Sequence, residues 1–301
     1  HLDWSEDLLN HKLKNIAEVI LSYESKNGPG ADIVLLQEIE NDNVLDLLHQ
    51  KLEAANYQTA ALIPSDDGRG ITMAVLSRLP LASPPRMHKW AITRPDKSKK
   101  FAKRGFLEVV LDTGTEGQTI TVLNTHLPAN SHPTYERAQG IQQLSELAGE
   151  LENPHNFVIA GGDLNVASGD QSKIFGDIAS KYWEVSHHQK NCKEADKTSP
   201  CRGSSYYGPD KSWSFLDVLM VSKQSLAGGH GMYFIPNEAV RVMNGTSHQK
   251  THGGLPLRFF TNIKHVNTKR QQVVFRDTDI GIGTSDHWPV TIRLKANLTT
   301  P

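Results

Sequence analysis

Apolar positions along this chain fall into two periods, and the two alternate. Leu9, Leu13, Ile16, Ile20 and Tyr23 recur every three or four residues, the stripe of an amphipathic helix. Asp3-Trp4-Ser5-Glu6 ahead of it reads as a capping box with Asp3 as N-cap. Lys26-Asn27-Gly28-Pro29-Gly30 reads as its stop. Ile33-Val34-Leu35-Leu36 is a short continuous apolar run, which predicts a buried strand ending at Gln37 and Glu38. Val44, Leu45, Leu48, Leu52 and Ala55 mark a second amphipathic helix. Strands are expected over 71–76, 106–111 and 119–124, with a hairpin loop around Gly114 to Gly117 joining the last two. A helix over 135–151 puts Ile141, Leu144, Ala148 and Leu151 on one face. Phe157-Val158-Ile159-Ala160 reads as the next strand, and 213–221 and 290–294 as later ones. Segments 166–212 and 222–272 show no clear period.

No repeat or linker-like stretch interrupts this pattern. It predicts one domain over residues 1–301, an α/β fold of two packed mixed sheets flanked by helices. The 38% hydrophobic content is enough for a large core. No apolar run reaches the roughly 18 residues of a membrane span. A net charge of −1 makes no global electrostatic demand for nucleic acid or membrane. Cys192 and Cys201, among Lys, Ser and Pro, lack metal-ligand spacing. They form either a short disulfide-closed loop or two separate thiols. A disulfide implies a secreted or periplasmic protein. Asn244-Gly245-Thr246 and Asn297-Leu298-Thr299 fit the glycosylation pattern, which matters only in a eukaryotic secretory protein.

Chemistry gathers where strands end. The Phe157–Ala160 run stops at Gly161-Gly162 and then offers Asp163 and Asn165. On an extended chain these two face the same way; in the blander reading they form an Asx turn. Glu38 closes one strand, His126 another, and Asp286-His287 precedes the last. Asp217 sits within an apolar strand between Leu216 and Val218, where an ionised carboxylate is costly unless paired. A histidine is its natural partner. Any one of these has an ordinary structural explanation; five together do not. Acids, an amide and histidines, with no Cys/His cluster, suit phosphoester cleavage with a hard cation, Mg²⁺ or Mn²⁺.

Leu36-Gln37-Glu38, Asn124-Thr125-His126-Leu127, Gly162-Asp163-Leu164-Asn165, Trp213-Ser214-Phe215-Leu216-Asp217 and Ser285-Asp286-His287-Trp288-Pro289 follow one another in a telling order. That order resembles the endonuclease/exonuclease/phosphatase family over about residues 31–294. The resemblance implies a DNase I-like four-layer α/β sandwich and a metal-dependent phosphoesterase. It implies Glu38 on the metal with Asp286 near or on it. By the same resemblance Asp163 would orient or deprotonate the attacking water, and Asn165 would help hold the phosphate or the transition state. His287, paired with Asp217, would contact the phosphate and stabilise its developing charge. His126 would be the second phosphate-facing histidine, and Arg104 would face the phosphate.

Two departures stand out. Family members normally begin with a strand carrying an asparagine that supports the metal. Here only His1 and Leu2 precede the first helix, so the expectation is a chain lacking that first strand. Many relatives also place an acid near Thr72; here only Asp66 and Asp67 lie close by, which leaves His126 without an assigned carboxylate. For substrate, the basic stretches Lys97 to Arg104 and Lys264 to Arg270 favour a nucleic-acid backbone, DNA or RNA. Phospholipid or inositol phosphates are the second class, and an inactive binding module the third. A monomer is expected.

Overall fold

A computed structural model describes residues 5–186, 193–194, 202–223, 232–234, 240–242, 245–251, 254–259, 266–267, 272–273 and 283–296. Helix α1 spans Glu6–Leu21. Its cap is Ser5, whose Oγ accepts from the Leu8 N–H at 3.2 Å. The expected cap, Asp3, lies outside the described residues. Strand β1 covers Ile33–Ile39 and helix α2 Asp42–Lys51. β1 outruns its apolar stretch because β3 (Thr72–Ser77) continues to pair with it, past a bulge at Glu38. β2 is Thr59–Ile63, whose Thr-Ala-Ala-Leu-Ile sequence alternates too weakly to be legible.

Next come β4 (Arg86–His88), the hairpin strands β5 (Ala91–Thr93) and β6 (Lys99–Phe101), and β7 (Phe106–Asp112). β8 (Thr119–His126), helix α3 (Thr134–Leu151) and β9 (Asn156–Asp163) follow. The late strands are β10 (Trp183–Val185), β11 (Ser212–Ser214), β12 (Asp217–Ser222), β13 (Val240–Val242) and β14 (Val290–Ile292). The expected strand over 213–221 is broken at Phe215-Leu216. Asp217 therefore opens β12 instead of sitting inside a longer strand. The strand expected over 290–294 divides at Arg293, because its two parts pair with different partners.

The strands form two main sheets, in the orders β1-β3-β2 and β10-β12-β9-β8-β7-β4. Met73 and Val75 of β3 meet Leu107, Val109, Leu111 and Val122 between the sheets. Leu13, Ala17, Leu45 and Leu48 cover the outer face of the small sheet, against Ala74 and Leu76. Ile141, Leu144 and Ala148 cover the large sheet, against Leu123, Val158 and Ala160. Each fully buried aliphatic side chain is worth about 1.5–3 kcal/mol. The result is helices, sheet, sheet and helix: the expected four-layer α/β sandwich.

One polar side chain ties the sheets together. Asn124, wholly buried, donates to the carbonyls of Leu36 at 3.1 Å and Ala74 at 2.9 Å, and accepts from Gln37 Nε2 at 2.7 Å. This fixes the end of β1 against the end of β8, where Glu38 and His126 lie. Among the described residues β1 pairs within its sheet with β3 alone, and Ile33, Val34, Leu35 and Gln37 of β1 line a groove of about 570 Å³. Ile20, Ile33, Leu35, Ile159, Val290 and Ile292 are among its lining residues. Among the described residues no helix is long and apolar enough to cross a membrane.

Candidate active site

Strand register assembles the site. β8 and β9 run parallel with His126 opposite Asp163, and β9 and β12 run antiparallel with Asp163 opposite Asp217. Three polar side chains thus lie in one row across three adjacent strands. Gly162 permits the close approach: a Cβ there would stand 2.0 Å from the Thr125 carbonyl oxygen, and its φ of 132° suits glycine alone. His287 joins through a bridge between its backbone and Ser205. Ser204 locks this corner. Its Oγ accepts from the Asp217 N–H at 3.1 Å, and its carbonyl accepts from the Trp288 N–H at 2.7 Å.

The two histidines have opposite surroundings. His287 Nδ1 lies 2.8 Å from Asp217 Oδ2. Burial alone would lower the His287 pKa, but Asp217, Asp163 and Asp286 outweigh it and raise it to about 10. Its Nδ1–H donates to Asp217, and a second N–H is left at Nε2. His126 Nδ1 lies instead 2.6 Å from Arg104 Nη1. Burial first, and then the charges of Arg104 and His287, lower its pKa to about 3. Its Nε2 faces Asp163 Oδ2 at 3.4 Å. Burial and the neighbouring Asp217 push the Asp163 carboxyl well above the usual carboxylate range, so it holds a proton more tightly than an ordinary aspartate.

Asp163 and Asn165 do not share a face of an extended strand. β9 ends at Asp163, and Asn165 adopts φ 51°. The Asn165 N–H donates to Asp163 Oδ1 at 2.9 Å, an Asx turn, and Asn165 Nδ2 donates to the Leu127 carbonyl at 3.1 Å. The turn itself aims the pair: Asp163 keeps Oδ2 toward His126, and Asn165 is held beside it, 8% exposed.

Glu38 sits on the β1 bulge at φ 59°, exposed at the rim. Asp286 accepts from Arg258 Nη2. Burial opposes it, but that hydrogen bond and the charge of His287 hold Asp286 below the usual carboxylate range. Burial lowers the pKa of Lys12, and the charges of Glu38 and then Asp286 partly counter it. Both are exposed carboxylates, the ligand type a hard divalent ion takes. Among the described residues, Asp163, Asp217 and His287 also bring ligand atoms within 4.8 Å of one another, with Asp163 Oδ1, Asp217 Oδ2 and His287 Nδ1 engaged in hydrogen bonds. Arg104 stands behind His126, its side chain 11% exposed, with Nε 3.9 Å from Asp67 Oδ2.

The sequence profile of the Endonuclease/Exonuclease/phosphatase family matches residues 5–287. The chain belongs to this family. A sequence search of curated proteins gives no match. Among solved structures, sphingomyelinase C from Streptomyces griseocarneus superposes with a TM-score of 0.57 at 18% identity, covering 94% of this chain and 90% of its own. D. rerio TDP2 with a single-strand DNA product gives 0.55 at 16%, covering 95% and 93%. A Staphylococcus aureus beta toxin variant with bound magnesium ions gives 0.55 at 15%, covering 94% and 91%. At these identities the likeness establishes the shared fold. Family membership makes the chain a phosphoesterase, in a family whose enzymes generally depend on divalent metals.

Sequence reasoning placed His126, Asp163, Asn165, Asp217 and His287, and the structure brings all five together. It missed Lys12, whose helical spacing looked like an ordinary solvated face, and Ser204, whose role depends on a loop. It also missed Asp67 as a buried residue. The only sequence signal there was the missing acid near Thr72. Cys192 and Cys201 lie outside the described residues, as do Lys264 to Arg270 apart from Val266 and Asn267.

Proposed function

We propose that this chain is a Mg²⁺- or Mn²⁺-dependent phosphodiesterase that hydrolyses DNA or RNA by in-line attack of water. Glu38 and Asp286 would hold the ion, which supplies neutralisation of the phosphate charge. Asp163 takes the proton of the attacking water; its raised affinity for protons suits a general base near neutral pH. Protonated His287, held by Asp217, donates its Nε2–H to a phosphate oxygen as charge develops. Asn165 holds the phosphate beside Asp163.

The hairpin β5–β6 supports the nucleic-acid reading. Arg94, Lys97, Lys99 and Lys103 are exposed along it, with Phe101 67% exposed among them, and the strand leads directly into Arg104. Lysines that track phosphates beside an aromatic face that stacks on a base suit a nucleic-acid strand. The hairpin is held in place, because Gln139 and Gln143 of α3 bond its backbone and Lys100 pairs with Glu136 at 2.7 Å.

A substrate panel tests this: single- and double-stranded DNA, RNA, sphingomyelin vesicles and a phosphomonoester, each with Mg²⁺. The proposal expects turnover of a nucleic acid. Turnover of sphingomyelin or the monoester alone would replace it with a lipid phosphodiesterase or a phosphatase.

A further inference from the structure

The two active-site histidines are backed by opposite charges, and the second of these arrangements has its own support. A guanidinium can only donate. With Arg104 Nη1 2.6 Å away, His126 must accept at Nδ1 and carry its proton at Nε2, toward Asp163 Oδ2. His287 is the reverse case: its Nδ1 donates to a carboxylate. One imidazole is backed by an acceptor at Nδ1, the other by a donor.

Arg104 is itself held from behind. Asp67, 4% exposed in its side chain, places Oδ2 3.9 Å from Arg104 Nε. It anchors Arg69 through Oδ1 to Nε at 3.1 Å and Oδ2 to Nη2 at 2.9 Å. The surrounding loop is shaped to bury Asp67. Ser65 Oγ accepts from the Asp67 N–H at 3.2 Å and donates to the Ile71 carbonyl at 2.7 Å. On the other side, Trp90 Nε1 donates to the Arg104 carbonyl at 3.1 Å. A Cβ at Gly105 would stand 2.4 Å from the His88 carbonyl oxygen, so the chain beside Arg104 is clamped. A lone guanidinium beside an imidazole would be repelled as the ring gained a proton; Asp67 keeps it there.

We propose that Asp67 is a positioning residue: through Arg104 it fixes His126 as the neutral tautomer with its proton on Nε2, a hydrogen-bond donor toward Asp163 and not an acid. The inference rests on the phosphodiesterase reading above and extends it. It makes His126 a neutral donor to Asp163, the group that takes the proton of water, and it assigns the carboxylate near His126 to an indirect position.

The test is the ring-nitrogen NMR spectrum of histidine-labelled protein at neutral pH, with His126→Gln to identify the signal, joined to kinetics of Asp67→Ala, Asp67→Asn and Asp67→Glu. Wild type is expected to show His126 protonated at Nε2 only. Asp67→Ala and Asp67→Asn are expected to lose that single tautomer and to lower kcat about 10- to 100-fold with little change in KM, the usual cost of removing such a supporting group. Asp67→Glu is expected to recover both. A wild-type ring protonated at Nδ1 or at both nitrogens overturns the proposal, whatever the Asp67 variants do. An unchanged tautomer and kcat in Asp67→Ala overturns it as well. Should wild type hydrolyse no phosphodiester, the functional reading falls, while the spectrum still decides the tautomer.

Discussion

At the scale of single residues, the pairing of Asp217 with His287 makes a strong demand. The carboxylate and the imidazole act as one unit, so their removals should not add. Asp217→Ala and His287→Ala are each expected to lower kcat by about 10²–10⁴-fold, and the double variant is expected to be little worse than the weaker single. A double-mutant cycle on a DNA substrate measures this, and simple multiplication of the two losses would contradict it. The candidate residues could be picked out because acids and histidines at strand ends are scarce and costly. What they touch was not legible. Asn124 looked like part of a His-containing motif, yet its side chain binds backbone on the other sheet. Asn124→Leu is expected to remove all three bonds and leave Gln37 Nε2 without its acceptor, at a cost of about 1–3 kcal/mol in urea unfolding.

At the scale of elements, periodicity found α1, α2, α3 and most long strands, because each presents a continuous apolar face. It failed where length or pairing decided the matter. The 213–221 stretch is apolar enough for one strand, but Gly203 and Ser204 pack against Ser214 and divide it. The Asx turn after β9 was one of two open readings; the second, two side chains on an extended face, gave way because the Asn165 N–H finds a partner in Asp163. The basic hairpin β5–β6 carries an element-scale prediction. Lys97→Ala, Lys99→Ala and Lys103→Ala together should weaken nucleic-acid binding and flatten its salt dependence by up to about three units of slope. Turnover of a small phosphodiester should be unaffected. Equal losses on both substrates would show that the hairpin supports the fold and not the substrate.

At the scale of the whole molecule, the site costs the fold acid resistance. His126 is neutral when folded down to about pH 3 but gains a proton near 6.5 when unfolded. Its folded pKa is depressed, so the stability tied to its neutral form is full above pH 6.5 and is lost as pH falls from there toward 3. Between pH 6.5 and 5 this amounts to about 2 kcal/mol. His126→Gln should therefore lose less stability than wild type over that interval, as measured by urea midpoints. Parallel curves would contradict it. The fold class was legible from the alternation of helix and strand periods, whereas the groove that β1 lines forms only when the sheets pack. Compartment rests on Cys192 and Cys201, outside the described residues. We propose a disulfide and a secreted or periplasmic protein, expecting no free thiol in denatured, unreduced protein; two free thiols would contradict it.

The central claim is that one row of side chains across three strands, completed by His287, is a hydrolytic centre for phosphodiesters. Mg²⁺-dependent cleavage of plasmid DNA by wild type, Asp163→Ala and His287→Ala tests it most directly. The account predicts cleavage by wild type that stops on chelation of the metal and falls by at least about 10²-fold in each variant. Equal cleavage by all three proteins would contradict it.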